Sequence, residues 1–170
     1  MSTTFIVVKR YSMENLKIVD YVKTYANEID KLESSEWEAD GIQEQFENGS
    51  IIRVALINDK IVGTIYGKAT GDLFTLNILI IEQNYRNMGI GTKLLNNLLE
   101  LLKNQNIKNV LVQAVFSNNK INIEALMKKF NFKETLRVKG WWGTKHPNTT
   151  CKICKNKPCI CTCIFYLKEL

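Results

Sequence analysis

The most constraining feature of this sequence is a junction where a long apolar stretch meets a glycine-containing turn and a leucine-rich run. The stretch LFTLNILII occupies residues 73–81, and its nearly continuous apolar character predicts a strand that is buried on both faces. QNYRNMGIGTKLL follows at 83–95, and leucines at helical spacing predict a helix that begins near Gly91. A buried strand that leads through glycines into a helix is typical of a layered α/β domain.

This junction has the features of an anion-binding site. The first N–H groups of a helix have no intrahelical partner, and the helix dipole adds roughly half a positive charge there. Gly89 and Gly91 would let a phosphate approach the backbone, and Arg86 precedes them as a cationic clamp. The alternative is an ordinary helix start with incidental glycines. GIGTK does not match the GxxxxGK[ST] pattern of a Walker loop, and Leu94 stands where a dinucleotide fingerprint needs its third glycine.

The rest of the pattern predicts a mixed sheet with helices on both faces, an α/β (α+β) fold. No repeat or linker interrupts the chain, so we predict one domain over residues 1–170, with a metal-binding loop inserted at about 143–163. Strands are predicted at 3–9, 51–58, 60–69, 73–82, 108–116, 133–142 and 163–170, and helices at 12–32, 40–48, 91–104 and 122–130.

Composition and charge exclude several classes of protein. The first fifteen residues hold only a four-residue apolar run before Lys9 and Arg10, which predicts no signal peptide. No stretch approaches the ~18 apolar residues of a membrane span. We therefore expect a cytoplasmic protein that does not enter membranes. The net charge of +6 hints at an anionic partner, but residues 31–50 hold six acidic side chains and one lysine. This acidic block argues against a uniformly basic nucleic-acid-binding surface.

All five cysteines fall within CKICKNKPCICTC at 151–163. An odd number in a short window, without an export signal, favours a metal over disulfides. The CxxC and CxC pairs fit tetrahedral Zn²⁺, and four thiolates would make the site structural and closed to water. His146 and Cys163 are alternative ligands, and free thiols or one disulfide are the alternative to a metal. The predicted metal ligands are Cys151, Cys154, Cys159 and Cys161.

RNMGIG, with LIIEQNYR before it and a leucine-rich helix after it, resembles the R/Q-x-x-G-x-G/A signature of the GNAT acetyltransferase superfamily. The order of elements resembles this family over essentially the whole chain. The resemblance implies a GNAT-like, mostly antiparallel twisted sheet of about seven strands. It also implies an N-acetyltransferase, with acetyl-CoA as cosubstrate and a primary amine as acceptor. We expect a monomer or a homodimer.

The resemblance further implies a cofactor site built mainly from backbone groups. The pyrophosphate would lie on the N–H groups of residues 87–92, and the pantetheine arm would enter a gap between the splayed strands 73–82 and 108–116. As the catalytic group, the N–H of Leu79 would stabilise the oxyanion, an interaction worth about 3–4 kcal/mol. Asn118 is the alternative to Asn119. The implied cofactor-binding residues are Leu79, Ile80, Ile81, Arg86, Asn87, Met88, Gly89, Ile90, Gly91, Thr92 and Asn119.

The general base and general acid that relatives often carry have no match here. Thr75 and Asn77 occupy the inward positions where a glutamate is expected, and Leu126 or Met127 occupies the position of a tyrosine. We therefore expect a carboxylate from the acidic block to act through water, or proximity to act without a dedicated base. Water or a residue of the inserted loop would protonate the leaving thiolate.

The acceptor side leaves several interpretations open. The acidic block would form a lip that attracts a cationic amine, and the alternative is a solvated helix face without a partner. The segment WWGTKH at 141–146 would present Trp141, Trp142 and Lys145 to the acceptor. The competing functions are a non-catalytic acyl-CoA sensor and a zinc-knuckle nucleic-acid-binding module, and RNMGIG weighs against the second.

Overall fold

One mixed β-sheet is the frame of the protein. The computed structural model describes residues 14–35, 42–117, 120–121 and 123–170, so the strand predicted at 3–9 lies outside the described residues. The strands are β1 (Lys17–Asp20), β2 (Ile51–Ile57), β3 (Lys60–Thr70), β4 (Leu73–Ile81), β5 (Asn109–Ser117), β6 (Lys120–Ile121), β7 (Lys133–Lys139) and β8 (Thr162–Glu169). The helices are α1 (Ala26–Ser34), α2 (Ile42–Glu47), α3 (Ile90–Asn104), α4 (Glu124–Lys129) and α5 (Trp141–Lys145), with 3₁₀ turns at Lys23–Tyr25 and Gln83–Tyr85.

The strands of the described chain are ordered β1-β2-β3-β4-β5-β8-β7, and the short β6 pairs with the end of β5. The pair β4–β5 is parallel, and the other pairs are antiparallel. The crossover between the parallel strands runs through α3, as parallel strands require. This confirms the predicted fold, a mostly antiparallel sheet of about seven strands.

The two faces of the sheet bury different parts of the core. The larger cluster lies under α3 and collects its predicted inward leucines. A second cluster lies on the opposite face, where Ile29 of α1 and Ile42 of α2 pack on Tyr66 of β3. Because α1 and α3 belong to different clusters, helices cover both faces, as predicted. Within the described ranges, no helix is long and apolar enough to span a membrane.

The helix predicted at 12–32 is wrong over its first half. Residues 17–20 form β1, which pairs with β2 in the register Lys17↔Leu56 to Asp20↔Arg53. The adjacent β-branched residues Ile18 and Val19 favour an extended chain, and the guanidinium of Arg53 forms an ion pair with Asp20 across the two strands. Edge pairing therefore overrides the helical spacing of the apolar residues, and α1 begins only at Ala26.

The strand predicted at 133–142 is also too long. β7 ends at Lys139 because Gly140 adopts a left-handed conformation with φ of 72°. The next five residues form α5 instead of strand, and the N–H of Thr144 donates to the carbonyl of Gly140 over 3.2 Å. The two tryptophans of WWGTKH therefore lie on a helix that opens the inserted loop. The remaining predicted strands and helices agree with the described elements to within three residues.

Candidate functional site

β4 and β5 separate partway along their length. They pair only where Leu73–Leu76 lies beside Asn109–Val112, although both strands continue beyond that point. A β-bulge coincides with the separation, because Tyr66 pairs with Ile78 while its neighbour Gly67 pairs with Leu76, which leaves Asn77 as the extra residue. Bulges bend a strand and increase its twist. The predicted gap between these two strands is present.

The bulge also changes which residues of β4 face α3. Phe74 and Leu76 belong to the core cluster under this helix, and beyond the bulge Leu79 and Ile81 pack against the same cluster. One extra residue shifts the two-residue alternation of a strand by one position. Even-numbered residues before the bulge and odd-numbered residues after it therefore share a face, which places Leu79 beside the start of α3.

The turn before α3 brings several backbone N–H groups together. Asn87 and Gly89 are left-handed, with φ of 61° and 82°. The N–H of Lys93 donates to the carbonyl of Gly89 over 3.1 Å, which closes the first helical turn. The earlier N–H groups of the helix have no intrahelical acceptor. Left-handed residues in such a turn form a concavity that suits anions.

The side chain of Arg86 is tied to the neighbouring strand. Its Nε donates to the carbonyl oxygen of Ile81 over 3.0 Å, and the side chain is exposed. The guanidinium is thereby held between the end of β4 and the turn that precedes α3. This is the position that the sequence assigns to a cationic clamp.

Gly91 has no side chain although the protein itself leaves room for one. A Cβ built on it would contact only side-chain carbons of Ile81, Leu126 and Leu79, each at 4.0 Å, which is an ordinary van der Waals distance. Its backbone is not left-handed, in contrast to that of Gly89. Neither packing nor backbone conformation therefore explains this glycine. A ligand that approaches the backbone at this point would explain it.

A central cavity of about 540 Å³ opens where the strands separate. Leu79 of β4 and Ala114 of β5 line it, and Gln45 of α2, Trp142 and Lys145 contribute from the opposite face. Its volume lies in the range of small-molecule sites. Trp142 and Lys145 of the predicted WWGTKH segment therefore line this cavity, and their contact with an acceptor stays a prediction.

Trp141 supports the wall of the central cavity instead of facing it. Its Nε1 donates to Oε1 of Gln113 over 3.0 Å, and its ring packs edge-on against Phe165 with 5.1 Å between centroids. The ammonium group of Lys145 lies 4.9 Å from the centroid of the Trp141 ring. Trp141 thus fixes α5 on the sheet and orients the lysine that lines the cavity.

A buried carboxyl group lies behind the wall of the central cavity. Glu33 of α1 is 2% exposed, and the hydroxyl of Tyr66, which lines the cavity, donates to its Oε2 over 3.2 Å. Burial is the main cause that raises the pKa of Glu33 from 4.5 to about 7; the Tyr66 hydrogen bond opposes the rise, and Asp30 adds to it. Within the described part of the chain, Oε1 of Glu33 has no hydrogen-bond partner.

Sequence patterns assign no individual role to Glu33, although it belongs to the acidic block. A signal existed, because Glu33 follows Ile29 by four residues and shares the inward face of α1 with it. Within an acidic segment, the sequence pattern does not distinguish an inward glutamate from a solvated carboxylate. The structure shows that this carboxyl is buried and that Tyr66 of β3 donates a hydrogen bond to it.

The positions that relatives use for proton transfer hold no titratable group here. Asn77 is the exposed bulge residue, Met127 is 1% exposed in the core, and Leu126 borders Gly91. Glu82, at the end of β4, forms an ion pair with Lys60, with 2.8 Å between its Oε2 and the lysine Nζ. Asn118 and Asn119 lie outside the described residues, so the predicted role of Asn119 stays a prediction.

The acidic block does not reach the central cavity in the described residues. The lining side chains from α2 include Gln45, and neither Glu44 nor Glu47 is among them. Two lysines and a histidine line the opposite wall: Lys145, His146 and Lys152. Residues 36–41 lie outside the described residues. The predicted carboxylate-rich lip therefore stays a prediction.

The four cysteines predicted as metal ligands converge on one point, and we call them the cysteine cluster. Their sulfur atoms all lie within 4.8 Å of one another. The predicted alternative Cys163 lies apart on β8, where burial raises the pKa of its thiol to about 12, and His146 is not a member of the cluster. The members are Cys151, Cys154, Cys159 and Cys161.

Comparisons with known proteins agree with this geometry. Residues 12–132 match the model of a family described as the Acetyltransferase (GNAT) family. No curated protein sequence matches the chain significantly.

Solved structures share the fold at low sequence identity. The Escherichia coli ribosomal-protein-S18-alanine N-acetyltransferase is 16% identical with a TM-score of 0.70, covering 91% of this chain and 93% of that one. A GNAT family acetyltransferase from Elizabethkingia anophelis, solved with acetyl-CoA bound, is 16% identical with a TM-score of 0.68, at 92% and 99% coverage. Arabidopsis thaliana NAA60, in complex with a bisubstrate analogue, is 12% identical with a TM-score of 0.71, at 91% and 98% coverage.

Proposed function

The chain belongs to the acetyltransferase (GNAT) family, and from that premise we propose that it is an N-acetyltransferase that transfers the acetyl group of acetyl-CoA to a primary amine. Candidate acceptors are a protein lysine, a peptide N-terminus, a polyamine or another small amine. The acetyl-CoA bound to the Elizabethkingia anophelis neighbour supports the cosubstrate. The alanine N-acetyltransferase activity named for the Escherichia coli neighbour supports an amine acceptor.

The observation that carries the proposal is the unfilled space beside Gly91. The pyrophosphate of acetyl-CoA would lie against the backbone N–H groups of residues 87–92, with Arg86 beside it. Gly91 would let a phosphate oxygen reach the backbone, because any side chain there would occupy the same space. The dipole of the fifteen-residue helix α3 adds to the attraction of the N–H groups for the diphosphate.

The pantetheine arm would run through the gap between β4 and β5. Beyond Leu76 the β5 side of β4 has no ladder partner among the described strands, so its backbone is open to an extended ligand. The proposed contacts are the backbone groups of Leu79, Ile80 and Ile81. The N–H of Leu79 would stabilise the oxyanion that forms when the amine attacks the thioester carbon, because a preorganised donor lowers that barrier by about 3 kcal/mol.

Tyr66 and Glu33 form the proton relay in this proposal. After the amine nitrogen has bonded to the thioester carbon, its excess proton would pass to the hydroxyl oxygen of Tyr66. The hydroxyl proton of Tyr66 would pass to Glu33, to which it already donates a hydrogen bond. A carboxyl group whose pKa is raised to about 7 by burial is well matched to this role at neutral pH. Glu33 belongs to the acidic block from which a base is expected, but it would act through Tyr66 instead of through water.

The leaving group needs less assistance than the amine. When the C–S bond breaks, coenzyme A departs as a thiolate, which is a far better leaving group than the amine nitrogen. Water would protonate it, because Leu126 and Met127, which stand at the positions where relatives carry a tyrosine, are apolar. The absence of a tyrosine at these two positions also favours the second candidate, a non-catalytic sensor that binds acyl-CoA.

The test begins with turnover by the full-length chain. Acetyl-CoA is incubated with a panel of amines, and free coenzyme A and acetylated acceptor are quantified by chromatography and mass spectrometry. A thiol reagent is unsuitable as the readout because the protein has five cysteines of its own. Each cationic acceptor is paired with neutral and acidic analogues, since lysines line the described wall and carboxylates dominate residues 31–50. Acetylation of at least one amine supports the proposal.

Gly91 variants separate binding from chemistry. We expect Gly91→Ala to weaken acetyl-CoA binding at least tenfold in calorimetry, which corresponds to about 1.4 kcal/mol, while stability stays within about 0.5 kcal/mol because its Cβ would meet only ordinary contacts. Gly71→Ala, in the turn between β3 and β4, is the control for affinity and leaves it unchanged; because its φ of 60° strains an alanine there, it is not a control for stability. Binding without turnover of any amine would favour the sensor. No binding by the wild type, or equal binding by the Gly91 variant, contradicts the proposed cofactor site.

A further inference from the structure

The cysteine cluster has the dimensions of a tetrahedral metal site. The sulfur atoms of Cys154 and Cys159 are 3.8 Å apart, and those of Cys151 and Cys161 are 4.0 Å apart. A tetrahedral Zn²⁺ ion with Zn–S bonds of about 2.3 Å holds its sulfur atoms about 3.8 Å apart. A disulfide needs about 2.05 Å, so neither pair has the geometry of a covalent bridge.

We propose that the cysteine cluster binds one Zn²⁺ ion, which is structural and fastens the inserted loop to the rest of the protein. With four thiolate ligands the coordination shell is complete, so no position remains for a catalytic water. The role of the metal is therefore to fix the loop, independently of the acetyl-transfer chemistry.

The backbone of the loop is arranged around these sulfur atoms. The N–H of Cys151 donates to the carbonyl of Asn156 over 3.0 Å. The N–H of Lys155, which is left-handed with φ of 59°, donates to the carbonyl of Cys151 over 2.9 Å. These two backbone hydrogen bonds close the turn that carries Cys151 and Cys154, so the loop itself fixes where these two ligands lie.

The charge of the loop complements the proposed ion. Four thiolates and one Zn²⁺ carry a net charge of −2, and three lysines lie within the same short segment: Lys152, Lys155 and Lys157. The second pair of the cysteine cluster is buried, since Cys159 is 7% and Cys161 is 6% exposed. Charged thiolates at such positions require a compensating cation.

The loop contacts three other parts of the protein. Nζ of Lys152 donates to the carbonyl of Ser34 at the end of α1 over 2.5 Å. Gly143 of α5 lies against the backbone of Cys159. Three cluster members, Cys151, Cys159 and Cys161, line the central cavity. The ion would therefore hold one wall of that cavity in place. If the proposed function holds, this wall contacts the acceptor.

The proposal is tested by metal content and by spectroscopy on the full-length chain. We expect one zinc per chain by elemental analysis after dialysis. Replacement by Co²⁺ should give the intense visible absorption and sulfur-to-metal charge transfer of a tetrahedral tetrathiolate site. A thiol reagent should modify the cysteine cluster only after a chelator is added, and Cys163, which is fully buried on β8, only after unfolding.

Single substitutions identify the ligands. Cys154→Ser and Cys159→Ser should lower the affinity for zinc at least tenfold and lose the tetrathiolate spectrum of cobalt. Cys163→Ala and His146→Gln are matched controls, because they remove the two alternative ligands, and both should retain one zinc. If a serine variant does not fold, the cobalt spectrum and the thiol count of the wild type decide.

Several outcomes would overturn the proposal. They are a wild-type chain that takes up no zinc or cobalt when either is added, an intramolecular disulfide in the freshly purified protein, or an iron chromophore. Loss of zinc from His146→Gln or Cys163→Ala would overturn the assigned ligand set. None of these readouts needs activity. Zinc binding without turnover therefore contradicts only the proposed function, and turnover in a chain that binds no metal contradicts only the zinc site.

Discussion

The carboxyl group of Glu33 couples the stability of the protein to pH. Its pKa is raised from 4.5 to about 7, mainly by burial, so folding favours the protonated form. The stability that the protein has with Glu33 protonated is fully present below pH 4.5 and is lost as the pH rises through about 7. We expect Glu33→Gln to become more stable relative to the wild type over this interval, by at most about 3 kcal/mol, since one pKa unit corresponds to about 1.4 kcal/mol.

The measurement is urea unfolding of both proteins at pH 5 and pH 8. Glu44→Gln, on the exposed side of α2, is the control and should change the free energy of unfolding by less than about 0.5 kcal/mol at either pH. Equal differences between Glu33→Gln and the wild type at the two pH values would show that the carboxyl titrates alike in the folded and unfolded chains.

Tyr66 offers a kinetic prediction for the same pair. Tyr66→Phe removes the hydroxyl that would relay the proton, so we expect kcat to fall by about 10²-fold or more, with the affinity for acetyl-CoA unchanged. Because the Tyr66 hydrogen bond lowers the pKa of Glu33, its loss should move the acidic limb of the residual pH–rate profile to higher pH. An unchanged kcat would exclude Tyr66 from the relay.

At the residue scale, the sequence predicted those sites whose residue types and short spacing identify them without knowledge of the fold. Four cysteines in two close pairs converge as predicted, because two turns suffice to bring them together. Glu33 could not be identified in this way, because its properties arise from burial against Tyr66, thirty-three positions later. The cofactor-binding residues stay a prediction, supported by the room beside Gly91.

The contact between α5 and the cysteine loop makes a prediction at the scale of elements. A Cβ on Gly143 would lie 2.4 Å from the carbonyl oxygen of Cys159 and 3.0 Å from Pro158. Backbone atoms cannot move aside as a flexible side chain does, so we expect Gly143→Ala to destabilise the protein by about 1–3 kcal/mol. It should also weaken zinc binding severalfold, because the displaced segment carries a ligand.

Thermal unfolding and a competitive chelator titration measure these two effects. Asn148→Ala, an exposed position in the same loop, is the control and should change neither quantity. If Gly143→Ala were as stable as the wild type, the helix and the loop would not be packed as closely as the structure indicates.

Helices and strands were predictable where the local sequence pattern favours the same element as the strand pairing in the sheet. The hairpin of β2 and β3 was predicted, and its turn residues Asn58 and Asp59 adopt the left-handed conformations that favour a tight turn. β1 was missed because helical spacing and β-branched residues coincide there, and pairing with β2 decides between them. The helix α5 was missed because the left-handed Gly140 ends the strand, although the aromatic residues Trp141 and Trp142 that follow it favour a strand.

At the scale of the whole molecule, the sheet separates two sites. The turn before α3 belongs to one face, and the cysteine loop packs with α5 on the other, where Trp141 contacts Gln113 and Phe165. The central cavity connects them through the gap between β4 and β5. The mostly antiparallel sheet and the gap were predictable from the resemblance to a family. The wall that the loop adds was not, since contacts such as Lys152 with Ser34 join distant parts of the chain.

This separation predicts that cofactor binding and metal binding stabilise the protein independently. Acetyl-CoA at one hundred times its Kd should stabilise the chain by about 2.7 kcal/mol, which raises Tm by roughly 5–10 °C for a chain of this size. Removal of zinc by a chelator should lower Tm but leave this increment unchanged, because the loop and the turn before α3 lie on opposite faces of the sheet. The affinity for an accepted amine should fall after zinc removal, because the loop forms the opposite wall. Differential scanning fluorimetry with and without metal and acetyl-CoA measures all four states, and a loss of the acetyl-CoA increment in the metal-free chain would show that the two faces are coupled.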